Sequence, residues 1–388
     1  MTRRGAVPPR SIAPGDVVTA FSEALGEWTV AQVTDLDPSR GSVGVLDLAW
    51  SGAEPNSLEA LGDLVPLHLT HHAWAGRPSH CNFDWLLPRG CRVIGNVPPL
   101  VDRESSSYAW GWRLGDQLAH QRRWDRDERA SGHPGERSFV GTELAGLVAA
   151  DQTFPELWKV SITEIETLDC GDLVTVFPNL TRLSLSGDLG TLVDASSLNR
   201  LTRIKSLFVS NLFGMVASDY LSPESAPDLE MLALHSIPAE YAVAMKKTWV
   251  PEVANGTYVE VTSPRKPDWV AENRDNPLRD WDGRGHISAT RFRKAVAQYR
   301  ATRRAVLEAL GDASGDGDAA RLTALGREYG EAFNRLDGSR DPFIETEERE
   351  DLFRALDSIV DHAEATRGRS PRNARDHLVA GVESVREW

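Results

Sequence analysis

The sequence predicts a multidomain α+β protein in which short strands, repeated strands and helices follow one another along the chain. Its 388 residues are too many for one ordinary hydrophobic core and suggest two or three domains. Strand-like patterns dominate the first third, an apolar motif returns four times in the middle third, and helical periodicity begins after a proline-containing stretch near residue 266. We therefore predict four segments: a small β barrel over 12–66, a connecting segment rich in Trp and His over 67–140, a repeat-containing α/β unit over 141–266 and a helical domain over 275–388.

The first segment contains three short runs that are rich in β-branched and aromatic residues. These runs cover 17–21, 28–33 and 43–50. Turn-forming sequences with Gly, Pro and Asp separate them, and the pattern ends near Pro66. The segment is similar to an SH3 or Tudor-like module, and this resemblance implies a small barrel over 12–66.

The connecting segment concentrates side chains that can bind metal. Within 24 positions it holds His68, His71, His72, His80, Cys81 and Cys91. Zinc accepts imidazole nitrogen and thiolate sulfur in tetrahedral sets, so the best ligand candidates are His71, His72, His80 and Cys81. Their spacing fits no familiar zinc pattern, and histidines that form hydrogen bonds or face solvent are the alternative. We expect no metal and no other cofactor.

A cluster of large side chains follows, at Tyr108, Trp110, Trp112 and Arg113. Aromatic rings beside Arg combine apolar area with directional donors, which is the chemistry of interface hot spots. The alternative is that these tryptophans pack between the barrel and the repeats. Trp110 and Trp112 are therefore candidate partner-binding residues.

A leucine-framed motif of the form L-x-x-L-x-L occupies the middle third. Its copies begin at Leu157, Leu180, Ile204 and Leu229, so the spacings between them are 23, 24 and 25 residues. A second register lies three residues ahead of each copy, at Phe154, Phe177, Leu201 and Ala226. Two interlocked registers with about the same period predict stacked structural units.

The motif resembles the leucine-rich repeat family over about residues 151–262. The resemblance implies a parallel sheet whose apolar edges are buried by neighbouring units and whose open face can bind a partner. The Asn or Cys that ties the turn in that family is missing, because its place is taken by Ile165, Asp188, Leu212 and Ile237. The residues between the motif leucines would form the open face, and the candidates for partner binding are Trp158, Lys159, Arg182, Lys205 and Phe208.

After residue 266 the apolar residues recur at helical spacing. Helices are predicted around 292–310, 322–336, 352–359 and 378–385, which would make a small bundle. The loop from Asp337 to Glu348 follows calcium-loop spacing, with Ser339 and Asp341 at ligand positions. Pro342 stands where that motif requires Gly, and an ordinary helix-capping turn is the alternative.

Charge and composition restrict the class of partner. The net charge of -14 is spread along the chain, which disfavours nucleic-acid binding. Basic residues cluster locally between Arg291 and Arg304 on a predicted helix, where acidic residues of the same segment offset them and a solvated helix face is expected. No run approaches the roughly 18 apolar residues of a membrane helix, no signal-peptide pattern is present, and the three cysteines form no CxxC pair. We expect a cytoplasmic protein, and the preference for Arg over Lys is typical of GC-rich bacterial coding.

The sequence lacks the common catalytic signatures, which favours a binding protein over an enzyme. It contains no nucleophile elbow, no Walker loop, no HExxH and no dinucleotide fingerprint. We therefore expect a non-catalytic protein that binds another protein through the repeat sheet. Because an acidic binder suits a basic partner, toxin neutralisation or regulation is the expected role. The rival function is a metal-dependent hydrolase that uses residues 68–91.

Overall fold

The computed structural model describes residues 12–102, 104–105, 107–109, 111–128, 132–311, 317–338, 341–367 and 373–388. The chain is mixed α+β and divides into two compact units, Met1–Lys266 and Pro267–Trp388. Among the described residues, no helix combines the length and the apolar character needed to cross a membrane.

The first unit begins with a five-stranded antiparallel sheet. Its strands are β1 (Asp16–Ser22), β2 (Glu27–Asp37), β3 (Ser42–Gly52), β6 (His80–Asp84) and β7 (Arg92–Asn96), and a two-stranded sheet is formed by β4 (His68–Leu69) and β5 (Arg77–Pro78). The strand order is β6-β3-β2-β1-β7, so β6 and β7 lie at the two edges. The predicted end of the first module at residue 66 is wrong, because two of the five strands come from beyond it. A closed barrel of SH3 or Tudor type is not shown.

Alternating burial explains why these residues form a sheet. Val17 and Val18 are both fully buried, yet they belong to two different apolar clusters on opposite faces of the sheet. Trp112 donates a hydrogen bond to the Asp84 carbonyl at the end of β6 and packs into the same cluster as Val18. Helix α1 (Asp116–Asp125) then packs through Leu118 on Leu67 and Leu69. The antiparallel sheet therefore needs residues 80–125 to complete its core.

The rest of the first unit is a six-stranded parallel sheet covered on one face by helices. Its strands are β8 (Glu136–Val140), β9 (Lys159–Asp169), β10 (Arg182–Val193), β11 (Ser206–Phe213), β12 (Met231–His235) and β13 (Tyr258–Thr262), in the order β13-β12-β11-β10-β9-β8. The α-helices of this region are α2 (Gly141–Ala149), α3 (Cys170–Val176) and α4 (Ala239–Trp249), and 3-10 turns occur at Ala195–Arg200, Ala217–Asp219 and Pro251–Asn255. The four motif strands lie side by side, whereas a clear leucine-rich repeat is not shown, because the connections differ in length and type.

The motif residues form the core of this sheet. Val160, Leu183, Leu207 and Leu232 lie in one register across four strands. The leading residues Leu157, Leu180, Ile204 and Leu229 are all at most 3% exposed. The carbonyls of Trp158, Thr181 and Lys205 each lie just before a strand and accept two consecutive backbone N–H groups of the next unit. These shared carbonyls repeat the backbone geometry from unit to unit and keep the strands in register.

The second unit is helical. It contains α5 (Pro267–Asn273), α6 (Ala289–Gly311), α7 (Gly317–Asp337), α8 (Thr346–Arg367) and α9 (Ala374–Glu383), with a 3-10 turn at Arg279–Trp281. Trp281 is fully buried and donates its Nε1 hydrogen to Asp351 over 2.9 Å. In the loop with calcium-like spacing, Asp337 accepts the backbone N–H groups of Phe343 and Ile344, at 2.6 and 2.8 Å. Glu348 pairs with Arg284, and Ser339 lies outside the described residues. The carboxylates at both ends of this loop thus already have protein donors.

Candidate functional site

Three of the predicted partner-binding cations form ion pairs at the ends where the parallel strands begin. Lys159 pairs with Glu136 at 2.6 Å, Arg182 with Asp116 at 2.7 Å, and Lys205 with Glu23 at 2.6 Å. Asp116 and Glu23 belong to the preceding sheet module, so two of these pairs connect that module to the parallel sheet. Arg182 and Lys205 are mostly buried, with side chains 16% and 23% exposed.

Trp158 lies under the same row of charges and is half-buried. The Arg182 guanidinium is 5.2 Å from the centre of its ring, and the His133 ring approaches at 5.5 Å in an edge-on arrangement. The indole Nε1 is buried and has no hydrogen-bond partner within the described part of the chain. Gly135 permits this packing, since a Cβ at that position would overlap the indole. Trp158 therefore packs beside the Arg182 guanidinium that forms the ion pair with Asp116.

Trp112 is a core residue, and the structure decides between its two predicted roles. It is 7% exposed, stacks on Phe83 with ring centres 5.8 Å apart, and donates its Nε1 hydrogen to the Asp84 carbonyl over 2.8 Å. It packs between the two sheets, as the structural alternative predicted. Trp110 lies outside the described residues.

Trp112, Arg182 and Lys205 line one cleft between the two sheets. The cavity has a volume of about 70 Å³, far below the roughly 300–1,000 Å³ of sites that enclose small molecules. Glu230 also lines it, and burial raises the pKa of this carboxyl to about 7, while Lys205 and Arg182 act in the opposite direction. This cleft is suited to joining the modules rather than to holding a ligand of that size.

Further along the strands, the side chains on the face away from the core are half-buried or exposed. Ser138, Ser161 and Ser184 lie in register on neighbouring strands, and the half-buried Phe208 continues the row. A second polar row consists of Ser186, Ser210, His235 and Thr262. We call these two rows the open face. Of the predicted partner-binding residues that the structure describes, Phe208 is the one in this part of the sheet.

The segments where the strands end are acidic. Residues 160–181 contain Glu164, Glu166, Asp169 and Asp172 but no Lys or Arg, and residues 183–199 contain Asp188 and Asp194 but again no Lys or Arg. Glu164, Glu166 and Asp188 are exposed. The basic residues of these strands therefore lie at their beginnings, in ion pairs, and negative charge remains at their ends.

The histidine- and cysteine-rich segment does not gather its four predicted ligands. His80 is buried, and its Nε2 lies 2.8 Å from the Thr34 hydroxyl. Burial raises the pKa of the half-buried Cys81 thiol to about 11, which disfavours the thiolate that binds zinc. His71 and His72 lie together in a different place, so the structure does not bring these four candidates together.

The structure instead brings His71 and His72 together with His120 of α1. In the described part of the chain, these are the residues whose ligand atoms all lie within 4.8 Å of one another. Burial lowers the pKa of both His71 and His120, and the neighbouring imidazoles add to the effect. They border a pocket of about 600 Å³, which also contains Trp124 and Glu136. Sequence reasoning missed His120 because it is distant along the chain; the helical spacing of Asp116, His120 and Trp124 was the available signal.

The described part of the chain thus offers two candidate binding sites, which are the open face with its acidic border and the three-histidine pocket. No protein-family model matches the chain, and no curated protein or solved structure is significantly similar to it. The chemistry of these two arrangements is what indicates the partners.

Proposed function

We propose that this chain is a non-catalytic binding protein that holds a basic protein partner on the open face of its parallel sheet. The observation that carries the proposal is the separation of charge along the strands. The cations at the strand beginnings are paired within the protein, whereas the exposed acidic residues lie at the strand ends, beside the open face.

The shape of the open face favours a macromolecular partner. Short Ser side chains leave a broad and shallow surface, which offers hydroxyl donors and acceptors without enclosing a small molecule. Phe208 stands among them and supplies the aromatic area that interface energies depend on. The face therefore combines hydrogen-bonding groups with an apolar anchor.

Electrostatics favours a basic partner. Residues 160–245 include eleven acidic and four basic side chains, and two of the four are Arg182 and Lys205. Since those two are already paired, the field at the strand ends is negative and would attract a positively charged surface. Neutralisation of a basic toxin, or regulation of another basic protein, is the role that suits such a surface.

The rival prediction, a metal-dependent hydrolase that uses residues 68–91, has less support. Only His71 and His72 of its four ligand candidates lie together, and the thiol of Cys81 is poorly suited to a metal. The proposed surface has an inner border where the antiparallel module covers the sheet. The predicted contact residues at this border are Trp158, Lys159, Arg182 and Lys205.

The test is affinity capture from the native host with the immobilised full chain. A Ser184→Arg variant places a large cation in the centre of the open face, and Thr175→Arg makes the same change at an exposed position of α3. We expect the wild type and Thr175→Arg to retain one basic protein and Ser184→Arg to lose it. Retention should weaken as salt rises, because the screening length falls from about 10 Å at 0.1 M to about 3 Å at 1 M.

Circular dichroism of both variants distinguishes loss of the binding surface from unfolding of the chain. A chelator should leave the capture unchanged, because no step of this binding uses a metal. The proposal fails if a folded Ser184→Arg chain captures the same protein as the wild type does, or if the captured protein is acidic.

A further inference from the structure

The geometry assigns His71, His72 and His120 to a binding site for one divalent transition-metal ion of the zinc class. The three rings lie against one another, with centres 4.3 Å apart for His71 and His120, 5.3 Å for His71 and His72, and 5.8 Å for His72 and His120. Imidazole nitrogens are preferred ligands of zinc and of its neighbours in the first transition series.

The nitrogen positions suit a common ion. The Nδ1 atoms of His71 and His72 are 3.0 Å apart. Two imidazoles on one tetrahedral zinc, each at about 2.0–2.1 Å, place their nitrogens roughly 3.3 Å apart. The separation of these first two nitrogens is therefore close to that of a shared ion, and the exposed His120 offers a third ligand atom within 4.8 Å of both residues' ligand atoms.

The ring of His71 is held in place before any ion binds. His71 is only 4% exposed, and its ring packs against those of His72 and His120, with Gln117 as a hydrogen-bonding neighbour. An ion at Nδ1 would leave Nε2 as the N–H donor and so fix the tautomer of this ring. Water or a hydrogen-bonded histidine cluster is the competing explanation that the test addresses.

The surrounding structure holds the three ligands in place. Gln121 lies next to His120 on α1, and its amide both donates to the Thr70 hydroxyl over 2.7 Å and accepts the Thr70 backbone N–H over 2.8 Å. Thr70 directly precedes His71, so this pair of hydrogen bonds fixes the helix that carries one ligand against the segment that carries the other two. His72 also has a left-handed backbone, with φ of 49°.

All three histidines line the pocket, so an ion bound to them would be accessible to a fourth ligand from it. Three protein ligands with one open position are typical of sites where a metal also binds water or an exogenous ligand. The pocket of about 600 Å³ has room for such a ligand, and acidic side chains at Asp116, Glu128 and Glu136 offset the nearby Arg123. The site is separate from the open face and does not depend on the proposed protein binding.

The test uses the full chain, stripped with a chelator, dialysed, and titrated with ZnCl₂ and with CoCl₂. We expect one ion per chain and, with cobalt, the visible absorption of a tetrahedral complex with nitrogen ligands. His72→Ala and His120→Ala should each lower the affinity by about tenfold or more. His362→Ala, at an exposed position of α8 in the helical unit, is the matched control and should bind as the wild type does.

Two results would overturn the assignment. One is a wild-type chain that takes up no stoichiometric zinc or cobalt. The other is a folded His120→Ala chain that binds both ions with wild-type affinity, which would place any bound metal on other histidines. Because His72 and His120 are exposed, their replacement should not unfold the chain, and circular dichroism checks this.

Discussion

Arg182 donates two hydrogen bonds to the carboxylate of Asp116, over 2.7 and 3.2 Å, and so connects strand β10 to helix α1. The guanidinium lies against the Trp158 ring at the same time. Because α1 also carries His120, this one ion pair links the parallel sheet, the antiparallel module and the three-histidine pocket.

Removal of this pair should therefore destabilise the first unit. We expect Arg182→Ala to lower the free energy of unfolding by roughly 1.5–3 kcal/mol, as measured for hydrogen bonds to charged groups, since it leaves the Asp116 carboxylate partly buried. Urea denaturation of the full chain measures the change. Arg203→Ala, an exposed change between β10 and β11, is the control. An equal effect at both positions would mean that the Asp116 pair contributes nothing specific.

The two hydrogen bonds between Gln121 and Thr70 should control metal affinity without touching the ion. Residues that orient metal ligands typically affect affinity by about 10–100-fold, so Gln121→Ala should weaken zinc binding within that range. The cobalt spectrum should also broaden, which a merely less stable protein would not show. Gln152→Ala, an exposed change in the same unit, is the control. Unchanged affinity in Gln121→Ala would show that Thr70 and His71 are held in place by other contacts.

Glu230 should make the stability of the first unit depend on pH. Burial raises its pKa from the ordinary 4.5 to about 7, so the folded state holds the proton more tightly than the unfolded state does. Stability from this group is present below pH 4.5 and is lost as the pH rises to about 7. Glu230→Gln should remove this loss. The wild type should therefore weaken relative to the variant by at most about 3 kcal/mol between pH 5 and pH 8.

Denaturation of both proteins at several pH values measures this difference. The matched control is Glu224→Gln, at an exposed position shortly before β12. A constant difference between wild type and Glu230→Gln from pH 5 to pH 8 would contradict the prediction.

The parallel sheet could be predicted from the sequence because its core is periodic. Leu183 and Leu207 occupy equivalent places in a pattern that repeats at almost constant spacing, and each is buried by the next unit. The first sheet was less predictable. Strands β6 and β7 are short and join β3 and β1 from a distance along the chain, so local alternation did not reveal them.

The candidate functional site could not be predicted from local sequence patterns, because it is formed by contacts between residues that are far apart along the chain. Lys159 and Arg182 directly precede the core residues Val160 and Leu183, and alternation along a strand predicts that they lie on the face away from the core. Nothing in that alternation reveals that Asp116 would neutralise Arg182, or that Glu23 would neutralise Lys205. His120 is a similar case, because it joins His71 only after α1 packs on Leu67 and Leu69.

The close packing of α7 on α9 gives a further prediction for the helical unit. Gly326 faces the Leu378 carbonyl and Gly381 faces the Thr323 carbonyl, and an added Cβ at either glycine would overlap the opposing backbone. Backbone atoms cannot rotate away as side chains do, so the helices would have to separate. Gly326→Ala should therefore destabilise this unit, by about 1–3 kcal/mol if its cost is typical of overpacked cores.

Helix propensity alone predicts the opposite sign, which makes the experiment decisive. Replacement of a helical Gly by Ala usually stabilises a helix by about 0.5–1 kcal/mol. Gly146→Ala in α2 is the matched control, since a Cβ there meets open space, and it should raise stability by that amount. Calorimetry or urea denaturation of the full chain measures both variants. Only a loose contact between α7 and α9 could accept the extra methyl group. If Gly326→Ala is as stabilising as Gly146→Ala, the close contact between Gly326 and the Leu378 carbonyl does not exist.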